Sequence, residues 1–443
     1  MSALPLRHYQ REFIDAFKDG KSSLCAFEQG LGKTLTAIAL ALELQAKKVL
    51  VICPASVVSV WAAEIKKWDP TAWITRPRNA RGVQNVKALA THYTVVNPDK
   101  LVRNVELLDA IVDQGDYDLL CLDESHMFKT VSAKRTRVVF QRLAPVCKRI
   151  LPMSGTPCPS HVGELYTMLR YLGRHLISKP NGEVMTLREY EDRWCNVEMK
   201  WIGGRQLRVI KGSRNVHELK ARIGDFMFRR TKAQCLMELP PMQFETLPLE
   251  LSGLDAKHLP AVDVNLDDDE LLRFLNGDEH IATAMRQIGV AKAAAFAEYA
   301  KDWMSNCESK MVIWCKHHDA LDLLVDALQP FNPAKIDGRD SQKKRDDAVA
   351  KFLTDPTCRV FIGQIRACGT GLTLLTPTCQ PSDVYFVEQE WVPGDNAQAA
   401  ARVHRIGQNS AVLVRTVVAE GVHLDQRLGD VLTRKIREIG ELL

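Results

Sequence analysis

The amino-acid sequence predicts an α/β protein in which two parallel-sheet lobes follow one another along the chain. First, short apolar, β-branched runs alternate with helical stretches from about residue 24 to 157. Second, this alternation weakens between about 160 and 250 and resumes near residue 310. Third, low-complexity tracts are absent and the only repeat is at the level of whole lobes.

The predicted strands are apolar segments that end in polar or turn residues. In the first lobe they are KVLVICP, YTVVN, DLLCLDE and KRILPMSGTP, with helices TLTAIALALELQA and VWAAEIKKW between them. In the second lobe they are KMVIWCK, CRVFIGQ, SDVYFVEQ and AVLVRTVVAE. Between the lobes, the basic segment KWIGGRQLRVIKGSRN predicts a β-hairpin or a loop, surrounded by helices.

These patterns predict three regions. Residues 1–235 form the first lobe, with a helical and hairpin insertion at about 160–230. Residues 236–290 form a linker and a helical protrusion, and residues 291–443 form the second lobe. The linker contains an acidic stretch at 263–279, whose role the sequence leaves open.

Composition places the chain among globular proteins of a reducing compartment. The 443 residues are 46% hydrophobic and 26% charged, and the net charge of +5 permits nucleic-acid binding without requiring it. Twelve cysteines without a C-x-x-C pair argue against structural zinc and against a disulfide framework. Neither a signal peptide nor an apolar run long enough to span a membrane is visible. We expect a soluble cytoplasmic protein of a bacterial or phage-type host, and a nuclear location stays open.

A phosphate-binding loop is predicted by LCAFEQGLGKTLTAIALA, an apolar run followed by a glycine turn and a helix. Gly30 and Gly32 would let backbone N–H groups point at phosphate oxygens of ATP, beside the positive end of the helix. Lys33 would meet the β- and γ-phosphates, and the Thr34 hydroxyl would bind Mg²⁺. The first glycine of the usual pattern is missing, and the alternative interpretation is an ordinary glycine-capped helix.

An acidic pair follows the apolar strand in LLCLDESH. Asp123 would hold Mg²⁺ through water, and Glu124 would polarise the water that attacks the γ-phosphate. The alternative is that the pair only caps a helix. Together with the phosphate loop, the pair predicts hydrolysis of a nucleoside triphosphate.

Two arginines in NAQAAARVHRIGQ have no acidic residue three or four positions away. If this stretch is helical, Arg402 and Arg405 lie on one face of the helix. We interpret them as arginine fingers that stabilise charge on the γ-phosphate when the two lobes close. The alternative is a solvated basic face.

The ordered set of motifs resembles Swi/Snf-type helicase-like ATPases of helicase superfamily two. LRHYQREFI, EQGLGKT, VICPASVVSVWAAEIKKW, DESH, MSGTP and FMFRRTKAQCLMELPP are similar to motifs of the first lobe and its end. KMVIWCKH, IDGRDSQKKRDDAVAKF, QIRACGTGLTL and QAAARVHRIGQ are similar to those of the second. Within the family, DRWCNVEMKWIGGRQLRVIKGSRNVHELK resembles the annealing-helicase, HARP-like distant branch.

The resemblance implies two RecA-like lobes and roles for further residues. Gln10 matches the glutamine that reads adenine, whereas His126, Ser154 and Thr156 match residues that couple hydrolysis to lobe movement. It also implies tracking along double-stranded DNA with ATP, without separation of the strands.

Contacts to the DNA backbone are expected from loops at the carboxyl ends of strands, because a translocase grips phosphates without reading bases. The candidate residues are Pro54, Ser56, Lys316, Gly369 and Thr373.

The sequence is compatible with three functions. The first is a translocase on double-stranded DNA that remodels or displaces bound proteins or DNA structures such as forks. The second is a strand-separating DNA or RNA helicase, and the third is a nucleotide-dependent scaffold with little turnover. The RRTK…LPP and RVHRIGQ segments favour the first.

Overall fold

The computed structural model describes residues 4–20, 23–83, 90–202, 205–236, 238–251, 279–368 and 372–441. The chain divides into two compact units, unit 1 over residues 1–235 and unit 2 over residues 236–442. Each unit is built on one parallel sheet with helices, so the predicted fold class is confirmed. Of the predicted acidic stretch, 263–278 lies outside the described residues.

Unit 1 contains a seven-stranded parallel sheet and a separate antiparallel hairpin. Its strands are β1 Leu24–Phe27, β2 Lys48–Ile52, β3 Trp73–Thr75, β4 His92–Val96, β5 Leu119–Asp123, β6 Ile150–Met153, β7 Cys195–Ile202, β8 Arg205–Ser213 and β9 Met227–Arg230. The sheet order is β3-β4-β2-β5-β6-β1-β9, and β7 pairs with β8. The basic segment is therefore a hairpin.

Ten α-helices belong to the described part of unit 1. They are α1 His8–Lys18, α2 Lys33–Glu43, α3 Val58–Trp68, α4 Pro98–Arg103, α5 Val105–Gln114, α6 Lys134–Arg137, α7 Tyr166–Leu172, α8 Leu187–Trp194, α9 Val216–Ile223 and α10 Lys232–Cys235. Apolar side chains of the central strands pack against these helices, and β1 is buried along its whole length. A strand covered on both faces reads as a continuous apolar run, as LCAF does.

Unit 2 contains a six-stranded parallel sheet. Its strands are β10 Met242–Leu249, β11 Met311–Cys315, β12 Ala334–Ile336, β13 Val360–Gln364, β14 Asp383–Phe386 and β15 Val412–Ala419, in the order β10-β15-β14-β11-β13-β12. Its helices are α11 Glu279–Asn306, α12 His318–Ala327, α13 Gln342–Thr354, α14 Ile365–Cys368, α15 Pro393–Ala400 and α16 His423–Glu441.

The core of unit 2 lies on both faces of its sheet. Val312 and Trp314 of β11 belong to one buried cluster, and Met311, Ile313 and Cys315 belong to another. Side chains of successive strand residues point to opposite faces, so a strand with five buried residues in a row must be covered twice.

A buried ion pair joins two helices to each other and to strand β15 of this sheet. Lys292 Nζ of α11 lies 2.9 Å from Oδ1 of Asp425 in α16, and it donates to the Val417 carbonyl of β15. The other oxygen of Asp425 accepts from the Ala419 N–H. Each polar atom of the pair is therefore hydrogen-bonded, as burial of charge requires.

Candidate nucleotide site and nucleic-acid contacts

The predicted phosphate loop connects β1 to α2, as expected. Gly30 and Gly32 have φ values of +89° and +77°, in the left-handed region that favours glycine. Gly32 is the N-cap of α2, so the first N–H groups of that helix face the loop. Lys33 Nζ donates to the Phe27 carbonyl at 3.0 Å.

Gln10 in α1 is buried against this loop. Its Nε2 lies within 3.1–3.4 Å of the Leu31 and Gly32 carbonyls and of the Thr36 hydroxyl, and its Oε1 accepts from the Arg7 N–H. In this conformation the predicted adenine-reading amide holds the shape of the phosphate loop.

Asp123 is the last residue of β5, at the carboxyl edge that it shares with β1. Trp61 Nε1 donates to its Oδ2 at 2.8 Å, and the Glu124 N–H donates to its Oδ1 at 3.1 Å. Burial and the charge of Glu124 raise the pKa of Asp123, whereas the Trp61 hydrogen bond and the charge of Lys33 lower it. The effect of Lys33 follows from its position on the same edge of the sheet.

A chain of contacts leads from Glu124 to the loop after β6. Glu124 has φ +50° and ψ +53°, a left-handed conformation that is costly for a non-glycine residue and typical of functional sites. Its Oε2 lies 3.3 Å from His126 Nδ1, which lies 2.9 Å from the Ser154 hydroxyl. The Ser154 hydroxyl in turn accepts from the Thr156 N–H at 3.1 Å. The three predicted coupling residues are thus brought together beside the acidic pair.

Polar atoms at this edge fit a nucleotide and a hard cation. Within the described ranges, the buried atoms Gln29 Nε2 and Thr156 Oγ1 lack a hydrogen-bond partner, and the buried Glu124 Oε2 has the ion-pair contact with His126 but no hydrogen bond. Thr34 and Asp123 provide oxygen atoms that can ligate a metal ion, and Mg²⁺ is typically bound by one or two carboxylates together with phosphates. Over the same ranges, no three His, Cys, Asp or Glu side chains are grouped to hold a metal by themselves.

The two predicted arginine fingers lie after a helix and not on it. Helix α15 ends at Ala400, and the following residues turn. The common helical face considered for Arg402 and Arg405 is therefore wrong. Arg402 is buried and donates to the Leu372 carbonyl, while Arg405 Nη1 donates to the Thr373 hydroxyl at 2.6 Å.

The candidate DNA contacts are distributed over both units. Pro54 is buried and Ser56 is half-buried in the turn between β2 and α3. Lys316 follows β11, with Nζ 3.1 Å from the centre of the Trp391 ring, and Thr373 contacts an arginine as described. Gly369 lies outside the described residues.

Sequence reasoning missed three residues that shape the site in unit 1. Trp61 contacts Asp123, and Gln29 would be 2.9 Å from a Cβ added to Gly155. Arg229 of β9 donates to the Gly155 carbonyl at 3.2 Å. All three residues lie inside motifs of the family resemblance, namely VICPASVVSVWAAEIKKW, EQGLGKT and FMFRRTKAQCLMELPP. That position was the signal that could have identified them.

Family models match almost the whole chain. The SNF2-related domain matches residues 10–288, and the helicase conserved C-terminal domain matches residues 291–407. The chain therefore belongs to the SNF2-related family of helicase-like ATPases, and the predicted family and class of enzyme are confirmed.

Among its relatives is the bovine DNA annealing helicase and endonuclease ZRANB3, 31% identical over 442 residues, covering 96% of this chain and 39% of the relative. Another is the Caenorhabditis elegans homolog of SWI/SNF-related matrix-associated actin-dependent regulator of chromatin subfamily A-like protein 1. It is 27% identical over 444 residues, which cover 98% of this chain and 61% of that protein. The chain thus spans about two fifths to three fifths of the length of these relatives.

Among solved structures, the Sulfolobus solfataricus SWI2/SNF2 ATPase core in complex with dsDNA is 20% identical, with a TM-score of 0.44. The match covers 99% of this chain and 92% of that one. Of the helices in the described part of the chain, none has the length and apolar character needed to cross a membrane.

Proposed function

We propose that the protein is a DNA-dependent ATPase that moves along double-stranded DNA and remodels or displaces what it meets. The observation that carries this proposal is the contact chain Glu124–His126–Ser154–Thr156, at a phosphate loop with two left-handed glycines. It connects the expected catalytic carboxylate to a loop of another strand, as coupling of hydrolysis to movement requires. The name of the ZRANB3 relative, a DNA annealing helicase, supports DNA as the partner.

The roles at the nucleotide follow from the chemistry of each side chain. Lys33 and the N–H groups of the loop would bind the phosphates of ATP, and Glu124 would accept a proton from the attacking water. Thr34 and Asp123 would hold Mg²⁺, which when bound neutralises phosphate charge. Arg402 and Arg405 remain the proposed stabilisers of charge on the γ-phosphate.

The proposed DNA contacts are all to the phosphate backbone. Pro54 and Ser56 would place their turn against the phosphate backbone, and Lys316 and Thr373 would do the same from unit 2. Backbone contacts of this kind carry no sequence information, which suits movement along any sequence. Gly369 stays a proposed contact on the basis of the sequence alone.

The test is steady-state ATP hydrolysis without nucleic acid and with double-stranded DNA, single-stranded DNA or RNA. We expect strong stimulation by double-stranded DNA and its loss in Glu124→Gln, with nucleotide binding retained. Stimulation mainly by RNA or single strands would contradict the proposal and favour the strand-separating helicase. Full activity of Glu124→Gln would show that another residue is the catalytic carboxylate.

A further inference from the structure

Helix α3 carries two tryptophans whose indole N–H groups both donate to carboxylates. Trp61 Nε1 donates to Asp123 Oδ2 at 2.8 Å, across 62 positions of sequence. Trp68 Nε1 donates to Glu64 Oε2 at 2.7 Å, one turn back on the same helix. The two bonds are alike in chemistry, but only the first reaches the edge of the sheet where the nucleotide is expected.

The sheet explains why Trp61 reaches this edge. Strand β2 pairs in parallel with β5, with Ile52 opposite Leu122. The chain leaves β2, turns through 54–57 and enters α3 at Val58, so Trp61 lies in the first turn of the helix. From this position the indole of Trp61 reaches Asp123, the residue that follows Leu122.

The environment of Trp61 makes this bond a fixed one. The side chain is 1% exposed, and Ile65, one turn later on the same face, is fully buried. A buried indole cannot exchange its carboxylate partner for water, and a hydrogen bond to a charged group is stronger than one between neutral groups. With the Glu124 N–H on the other oxygen, both oxygens of Asp123 are oriented by the protein.

We propose that Trp61 is a positioning residue that orients the Asp123 carboxylate for the Mg²⁺–nucleotide. This inference rests on the proposed function, since it takes Asp123 as the carboxylate that holds Mg²⁺. Loss of a hydrogen-bond partner that orients a metal-binding side chain typically lowers metal affinity by roughly 10- to 100-fold. The turn with Pro54 and Ser56 leads directly into this helix, so only the first turn of α3 separates the proposed DNA contact from Trp61.

The experiment measures binding of a fluorescent ADP as Mg²⁺ is titrated, and again in EDTA, without turnover. In Trp61→Phe we expect the half-saturating Mg²⁺ concentration to rise about tenfold, with binding in EDTA unchanged. Trp68→Phe, the matched control, removes the same donor from the same helix and should behave as wild type. Equal loss of binding with and without Mg²⁺ would indicate a merely structural role and overturn the inference, as would a wild-type titration of Trp61→Phe.

A second Trp61 variant and an Asp123 variant distinguish failure of this inference from failure of the proposed function. If Trp61→Phe does not fold, Trp61→benzothienylalanine keeps both rings and replaces only the N–H with sulfur, and the same tenfold rise is expected. If the wild-type chain binds ADP without any dependence on Mg²⁺, or Asp123→Asn keeps that dependence, the proposed function of Asp123 has failed. A Mg²⁺ dependence that Asp123→Asn abolishes and the Trp61 variants leave unchanged would overturn the inference alone.

Discussion

A Cβ atom on Gly32 would lie 2.6 Å from Nε2 of Gln10. That is closer than real Cβ atoms approach other atoms, so a side chain at residue 32 would displace the Gln10 amide from the phosphate loop. Any other residue type at this position would therefore lose the hydrogen bond that Gln10 Nε2 donates to the Gly32 carbonyl, in addition to adopting a strained positive φ.

Gly32→Ala should impair nucleotide binding as well as stability. The substitution combines a strained positive φ with displacement of Gln10, so we expect ATP affinity to fall by more than about tenfold, or 1.4 kcal/mol. Gly20→Ala is the matched control, because Gly20 has φ +71° and open space around its Cβ position. It should cost about 1 kcal/mol of stability and leave ATP affinity unchanged. Calorimetric titration and thermal unfolding of both variants test this; equal ATP affinities would contradict it.

Ser154→Ala should uncouple hydrolysis from DNA. The variant removes the hydroxyl that joins His126 to the Thr156 N–H, while the phosphate loop is untouched. We expect basal ATPase activity within about twofold of wild type and loss of most of the stimulation by double-stranded DNA, since two hydrogen bonds of about 1 kcal/mol each are removed from the contact chain. Ser178→Ala, which removes an exposed hydroxyl bonded to the Arg174 carbonyl, should keep full stimulation. Stimulation of Ser154→Ala equal to wild type would refute the coupling role.

Arg405→Ala should abolish hydrolysis without abolishing ATP binding. An arginine that stabilises developing charge on the γ-phosphate contributes about 10³- to 10⁵-fold to kcat, and little to ground-state affinity. Thr373→Val removes only the acceptor of Arg405 Nη1, so a smaller loss, about tenfold, is expected. Rapid-quench hydrolysis with saturating DNA gives kcat, and a kcat of Arg405→Ala within tenfold of wild type would exclude the arginine-finger role.

DNA affinity should fall as pH rises through 8. Burial lowers the pKa of Lys316 from 10.5 to about 8, although nearby Glu390 and Glu388 oppose this. The charge is thus present below pH 8 and lost above it in the folded protein, whereas an unfolded chain keeps it up to about pH 10. Lys316→Arg stays charged throughout and should bind DNA with little change between pH 7 and 9. Fluorescence anisotropy at fixed salt measures both; parallel pH profiles would place Lys316 away from DNA.

The same pKa has the opposite effect on folding. Between pH 8 and 10 the unfolded chain binds more protons than the folded one, so this group makes unit 2 more stable as pH rises. Weaker DNA binding above pH 8 can therefore be distinguished from unfolding by a Tm measured at each pH.

Breaking the buried pair Lys292–Asp425 should destabilise unit 2 strongly. Lys292→Met leaves Asp425 buried without its partner, which typically costs about 3–5 kcal/mol. The double variant Lys292→Met/Asp425→Leu removes both charges and should recover part of that loss. Denaturant unfolding of wild type, the single variants Lys292→Met and Asp425→Leu, and the double variant tests this. The exposed pair Arg286–Asp319 is a control whose disruption should cost under about 1 kcal/mol. Additive losses in the double variant would argue against a direct pair.

Strands that are covered on both faces could be predicted from the sequence. KVLVI of β2 is apolar from its second residue and is buried from there on. In contrast, MFRR of β9 contains two arginines, whose guanidinium groups donate to the Gly155 carbonyl and to Glu12. These charged residues interrupt the apolar pattern, so β9 could not be predicted as a strand from the sequence. MQFETLPL of β10 contains Pro248 and alternates between half-buried and exposed residues, as an edge strand tolerates.

The candidate site likewise contains residues that could be predicted from the sequence and contacts that could not. Lys33, Asp123 and Glu124 lie in contiguous motifs whose chemistry is visible in one short segment. The contact of Trp61 with Asp123 depends on the β2–β5 register, and the hydrogen bonds of Gln10 depend on how α1 packs on the loop. Neither register nor packing can be read from spacing along the chain.

Strand β10 has a practical consequence for expressing unit 2 alone. It pairs with β15 at every one of its residues, from Met242 opposite Val412 to Leu249 opposite Ala419. A recombinant fragment that starts at residue 291 would leave VLVRTVVA as an open edge, a template for intermolecular β-pairing and aggregation. A fragment that starts at Leu236 keeps this edge covered.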